Sequence, residues 1–139
     1  MWDGIDCHKA RQLGWAPASW DDEGLRFEHL RPMGSSQQGI FTGRRRHGFG
    51  QYYMGTHPLF LVASAINKGM QRPYVLGGLA MLQGYFGAML RGAERHGDRE
   101  LIDFIRAYQR RSLIVGKTRA VAEIEAERAG ALKLGDPAA

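Results

Sequence analysis

Residues 98–108 read DRELIDFIRAY, and this stretch decides the fold class. Leu101, Phe104, Ile105 and Tyr108 fall at i, i+3, i+4 and i+7, which places them on one face of a helix. Asp98 stands just ahead, with a side-chain oxygen suited to the first free backbone N–H groups. Val115 continues the same face two turns on. Toward the carboxy terminus, Thr118 to Leu132 is charged, alanine-rich and helical in pattern, with a poor apolar stripe. Residues 135–139, GDPAA, read as a frayed tail.

Toward the amino terminus, Pro73 to Leu90 carries no charge over eighteen residues, on the bare margin for a membrane-spanning helix. Gly77, Gly78, Gly84 and Gly87 dilute its hydrophobicity, and Arg91, Arg95 and His96 end it. Lys68 to Pro73 is a basic turn. Pro58 to Ile66 is apolar and helical, with Pro58 at the first helical position. Ser35 and Gln38 have capping-box spacing, so a helix carrying Arg44, Arg45, Arg46 and His47 is expected to follow, its middle loosened by Gly48 and Gly50.

Leu25 to Leu30 alternates in the manner of a strand, and Arg31-Pro32-Met33-Gly34 breaks it. Asp3 to Leu13 reads as a short helix with Asp3 as N-cap, Asp6 at N3 and Gly14 as C-cap. Ala16 to Gly24 is a loop. The expected fold is mainly α with one or two short strands near the start. A lone strand makes no sheet, so its partners would lie outside this chain.

The chain has 139 residues, 44% hydrophobic and 24% charged, which suits one folded domain and excludes general disorder. Cys7 is the single cysteine, so no disulfide framework exists within one chain, as befits a reducing cytoplasm. Lys and Arg outnumber Asp and Glu by 19 to 14, favouring phosphates, nucleic acid or acidic lipid as partners. Asp3 and Asp6 stand where a leader's apolar core would lie, so no secretory leader is expected. The dense opening Trp2-Asp3-Gly4-Ile5-Asp6 fits either a chain that starts inside a larger design or a short protein beginning on a helix cap.

Asp3 can serve as a general base toward a sugar hydroxyl, or simply cap its helix while Asp6 complements the dipole. Cys7, His8 and His29 do not have the spacing of a zinc set. Arg44, Arg45, Arg46 and His47 can hold a diphosphate or a lipid phosphate, or form a solvated helix face. Nucleic acid is a third partner for that cluster, although no known nucleic-acid module is matched. The two apolar stretches can form a hairpin at a membrane surface or pack in a core. Their basic flanks, Lys68, Arg72, Arg91 and Arg95, would meet acidic head groups.

Trp2-Asp3-Gly4-Ile5-Asp6 followed by Lys9 to Gly14-Trp15 resembles the acidic motif of bacterial family 2 glycosyltransferases. Leu25 to Ser35 is similar to the strand and loop that come next. Arg46 to Leu59 and Pro73 to Leu79 resemble the tail of members associated with polysaccharide synthesis. The resemblance covers residues 2 to 114. It implies the carboxy-terminal edge of a GT-A domain followed by a helical tail, in an enzyme that inverts the anomeric centre. It implies that Asp3 is the catalytic base, with His29 or Arg31 approaching the donor diphosphate or its metal.

The implied partners are a nucleotide sugar and a glycan or lipid-linked acceptor, with Mg or Mn in the full-length enzyme. The implied setting is cytoplasmic and peripheral at the inner membrane face. The family motif has Glu before the Asp, where this chain has Trp2, and the nucleotide-binding half with its Asp-x-Asp segment is absent. The expected layout is residues 1–35 as the end of the catalytic domain, 36–116 as a helical, membrane-interface region, and 117–139 as a charged helix and tail. An acceptor-side fragment without activity of its own is the first expectation. A helical membrane- or partner-binding module is the second, and a small basic nucleic-acid binder the third.

Overall fold

A computed structural model describes residues 2–19, 22–25, 39–70 and 74–133. It contains six helices: α1 (Trp2–Gln12), α2 (Ile40–Tyr53), α3 (Pro58–Gly69), α4 (Val75–Leu90), α5 (Arg99–Val115) and α6 (Lys117–Lys133). The chain is therefore mainly α, and no strand occurs among the described residues. The expected strand at 25–30 falls, after Leu25, outside them, and Leu25 itself ends a short 3-10 turn begun at Glu23.

The sequence pattern gives α5 its one buried face. Asp98 accepts a hydrogen bond from the Leu101 amide at 2.9 Å and so caps the helix. Lys9 donates to the other Asp98 oxygen at 2.7 Å, and this bond holds the Asp98 carboxyl below its ordinary pKa. Leu101, Ile105 and Tyr108 are buried, as the heptad-like spacing requires. Gly116, at φ 87, turns the chain directly into α6. Among its described side chains that helix buries Ala120 and Ile124, against Tyr108. Ion pairs supplement this narrow seam: Arg111 bonds Glu123 and Glu127, and Arg11 of α1 reaches Glu125 at 2.8 Å.

Among the described helices the closest packing is between α2 and α4. Three glycines in α2 would each cost an isolated helix about 1 kcal/mol. Tertiary contact offsets that cost, because the glycines let two backbones meet. A Cβ on Gly48 would lie 1.9 Å from the Met81 carbonyl oxygen, and one on Gly84 would lie 2.0 Å from the Arg45 carbonyl oxygen. Gly48, one of the two glycines expected to loosen the helix, therefore fastens it to its neighbour. Around this seam Tyr52, Leu61, Ala65, Met81, Tyr85 and Ala88 form the main core. The Ser35–Gln38 box lies outside the described residues, and α2 starts at Ile40 after a Gly39 N-cap with no side-chain cap.

The helices fall into two groups, α2–α3–α4 and α1–α5–α6, and the turn 54–57 joins them. Thr56, fully buried, is the centre of the joint. Its hydroxyl donates to Gln51 Oε1 at 2.7 Å and accepts from Gln109 Nε2 at 3.2 Å. The Gln109 oxygen accepts the His57 amide at 2.8 Å, and the Tyr85 hydroxyl donates to the Thr56 carbonyl at 2.8 Å. Helices α2, α4 and α5 thus all bond to this turn, α5 also through Arg106 Nε to the Gly55 carbonyl at 2.9 Å. Below it Ile5, Met54, Leu101 and Ile105 make a second apolar cluster.

Candidate functional site

Helix α1 carries the acidic motif. Asp3 sits in its first turn, one residue inside the helix instead of at the cap. The helix ends in a Schellman turn: Trp15 N–H bonds the Ala10 carbonyl at 2.9 Å, Gly14 N–H bonds Arg11 at 3.1 Å, and Gly14 takes φ 87. The indole of Trp15 is 68% exposed beyond that turn. Asp6 and Cys7 are also exposed, so this face of the motif is open to solvent.

The opposite face of α1 is buried and anchored. Ile5 enters the second apolar cluster, and the His8 ring lies 5.2 Å from the Tyr108 ring. Burial, with Arg11 and Lys117 nearby, pushes the His8 pKa down to about 4. His8 is therefore a neutral packing residue near pH 7, and its buried Nδ1 has no hydrogen-bond partner. Among the described residues no group of three or more His, Cys, Asp or Glu side chains is placed to hold a metal ion. His29, Arg31 and Arg72 lie outside the described residues.

Arg44, Arg45, Arg46 and His47 lie on α2, and the structure separates them by role. Arg45 and Arg46 are exposed, whereas Arg44 is half-buried and its Nε lies buried without a hydrogen-bond partner. His47 is held below its ordinary pKa by partial desolvation and then by the charges of Arg44 and Lys68. Lys68, expected as a flank of the apolar stretches, thus joins the α2 cluster. Arg91 directly follows α4, and Arg95 lies in the connection beyond it. Arg95 stacks over the Tyr52 ring at 4.6 Å.

The α3–α4 hairpin exposes an apolar face. Along α3, Leu59, Val62, Ile66 and Met70 form one outward row, and Val75, Leu76, Leu79 and Leu90 form another along α4. Between the rows runs a cavity of about 360 Å³, lined by Val62, Ala65, Ile66, Val75, Leu79 and Leu82 among others. A second groove on the other side of Leu76 and Leu79 is walled by Phe41 and Arg45 of α2. Exposed Met70 and Val75, 69% and 66% accessible, mark the end of the hairpin. Among the described residues no helix is long and apolar enough to cross a membrane.

One signal for this face was present in the sequence and lies in the sign of its charges. No Asp or Glu occurs between Glu28 and Glu94, while Arg31, Arg44, Arg45, Arg46, Lys68, Arg72 and Arg91 all do. All of α2, α3 and α4 therefore belongs to a carboxylate-free segment. No protein-family model, curated protein or solved structure matches the chain.

Proposed function

We propose that this chain is the acceptor-side portion of an inverting family 2 glycosyltransferase, which moves a sugar from a nucleotide donor to a glycan or lipid-linked acceptor. The observation that carries the reading is the ordered run of four sequence blocks, Trp2–Trp15, Leu25–Ser35, Arg46–Leu59 and Pro73–Leu79. On this reading the residues before Ser35 finish a GT-A domain, and the helices after it are the family's tail. Helix α1 supports it: an acid in the first turn and an open indole past the closing glycine share one rigid element. The anchoring of α1 by Ile5 and by the Lys9–Asp98 and Arg11–Glu125 pairs would fix that acid relative to an acceptor.

In this proposal Asp3 takes the proton from the attacking hydroxyl as the new glycosidic bond forms and the nucleoside diphosphate leaves. The donor site and its Mg or Mn belong to the half of the family fold that the resemblance does not reach. The described residues offer no ligand set for that ion. The test joins this chain to the nucleotide-binding half of a family 2 enzyme and measures sugar-nucleotide turnover. A lost general base lowers turnover about 10²- to 10⁴-fold, so Asp3→Asn is expected to fall by that factor. Unchanged turnover would leave Asp3 a helix residue and end the catalytic assignment.

A further inference from the structure

We infer that the α3–α4 hairpin is an interfacial membrane anchor, lying flat on an anionic lipid surface with its two outward apolar rows among the acyl chains. The inference stands on the exposed face alone and does not depend on the sugar-transfer reading. Three observations meet there. First, Leu59, Val62, Ile66, Met70, Val75, Leu76 and Leu79 are exposed together on two adjacent helices, forming a continuous ridge-and-groove surface instead of scattered apolar residues. Second, α4 has 16 residues and α3 has 12, too short to span, so burial parallel to the surface is the geometry available to them.

Third, the electrostatics have a single sign. The segment from residue 29 to residue 93 contains no carboxylate, and exposed Arg45 forms a wall of the groove that Leu76 and Leu79 share with Phe41. The charges of Arg44 and Lys68 fall on His47 beside it. The fourteen acidic residues all belong to the remainder of the chain, where Asp98, Glu125, Glu123 and Glu127 pair with Lys9, Arg11, Arg111 and Arg119. A protein partner would be met by a rim of mixed polarity. An apolar face on a segment whose only charged side chains are cations complements a uniformly negative head-group layer. The same cations would repel a second copy brought face to face.

The test uses the full chain and vesicles. Flotation is measured with phosphatidylglycerol–phosphatidylcholine vesicles and with pure phosphatidylcholine vesicles, at low and high salt. The expected result is partition onto the anionic vesicles that weakens with salt. Ile66→Asp and Leu79→Asp each lower it tenfold or more, since each withdraws a side chain whose burial is worth about that factor. Arg45→Gln lowers it about fivefold. An independent arm replaces Cys7 by Ser and places an environment-sensitive dye at Leu79→Cys or, as control, at Ala122→Cys on exposed α6. Brominated lipid should quench the dye at 79 and leave the one at 122 bright.

Three results would overturn the inference. One is absence of partition, and a second is equal quenching at both positions. The third is a concentration-dependent dimer in sedimentation that Leu79→Asp converts to monomer, which would assign the face to a second copy. None bears on Asp3, whose test is turnover in the joined enzyme, so the two readings fail separately.

Discussion

Replacing Gly84 by Ala should destabilise the protein, although alanine is the better helix former. The added Cβ would lie 2.0 Å from the Arg45 carbonyl oxygen, with the Arg45 carbonyl carbon at 2.9 Å and its Cα at 3.1 Å. All three are backbone atoms, so no side chain can rotate away. The α2–α4 seam must open by roughly 1.4 Å to restore ordinary contact, and a gap of about 1 Å already forfeits a quarter to a half of the dispersion well for each atom pair. Overpacking of this kind costs about 1–3 kcal/mol, and a backbone collision belongs at or above the upper end. The propensity gain returns about 1 kcal/mol. The net expectation is a loss of about 2 kcal/mol, or roughly 6 °C in Tm for a chain of this size.

Gly130 supplies the control, because nothing lies within 4 Å of the Cβ it would gain on exposed α6. Gly130→Ala should stabilise by about 0.5–1 kcal/mol. Gly48→Ala should behave like Gly84→Ala, since its Cβ would meet the Met81 carbonyl. The double variant should lose about 1 kcal/mol less than the sum, because one opening of the seam relieves both clashes. The assay is urea unfolding followed by circular dichroism. A Gly84→Ala protein as stable as the wild type would refute the close-packed seam.

Further outcomes follow from the same structure. Gln109→Leu removes the acceptor for the part-buried His57 amide and the donor to Thr56, so unfolding should show a loss of about 1–3 kcal/mol; Thr56→Val, which strands Gln51 and Gln109, should cost a similar amount. The pKa of His8 is lowered in the folded chain, so between its ordinary value of 6.5 and about 4 the unfolded chain binds more protons. Stability conferred by neutral His8 is fully present above pH 6.5 and is lost as pH falls toward 4. The loss is bounded by about 3 kcal/mol, and His8→Phe should flatten that part of the stability–pH profile. In flotation, the hairpin variants Ile66→Asp and Leu79→Asp should leave the thermal midpoint near that of the wild type, because both positions are exposed.

What the sequence revealed depended on how local the cause was. Helix α5 was legible because its Asp98 cap and its apolar face are both set within eleven residues. Pro58 at the start of α3 and the Gly14 turn after α1 were legible for the same reason: backbone geometry fixes them residue by residue. The glycines of α2 and α4 misled because their purpose lies across a tertiary contact. Gly48 answers to Met81, and Gly84 to Arg45, each more than thirty residues away.

The uncharged run in α4 could be read as core, interface or span. Burial divides it by side: Met81, Tyr85 and Ala88 face the core while Leu76, Leu79 and Leu90 face out. Composition cannot express that division. The joint at Thr56 was invisible, since no local pattern foretells that Gln109 will reach back to it. Of the site, the motif on α1 was legible as a pattern, and the approach of Lys68 to the α2 cluster was not.

The most direct test of the sugar-transfer account compares Asp3→Asn with Asp6→Asn in the joined enzyme under saturating donor. Both acids lie on α1, three residues apart, and Asp6 is exposed. The account predicts a fall of about 10²-fold or more for Asp3→Asn and a change of less than about twofold for Asp6→Asn. Equal effects of the two substitutions, in either direction, would contradict it.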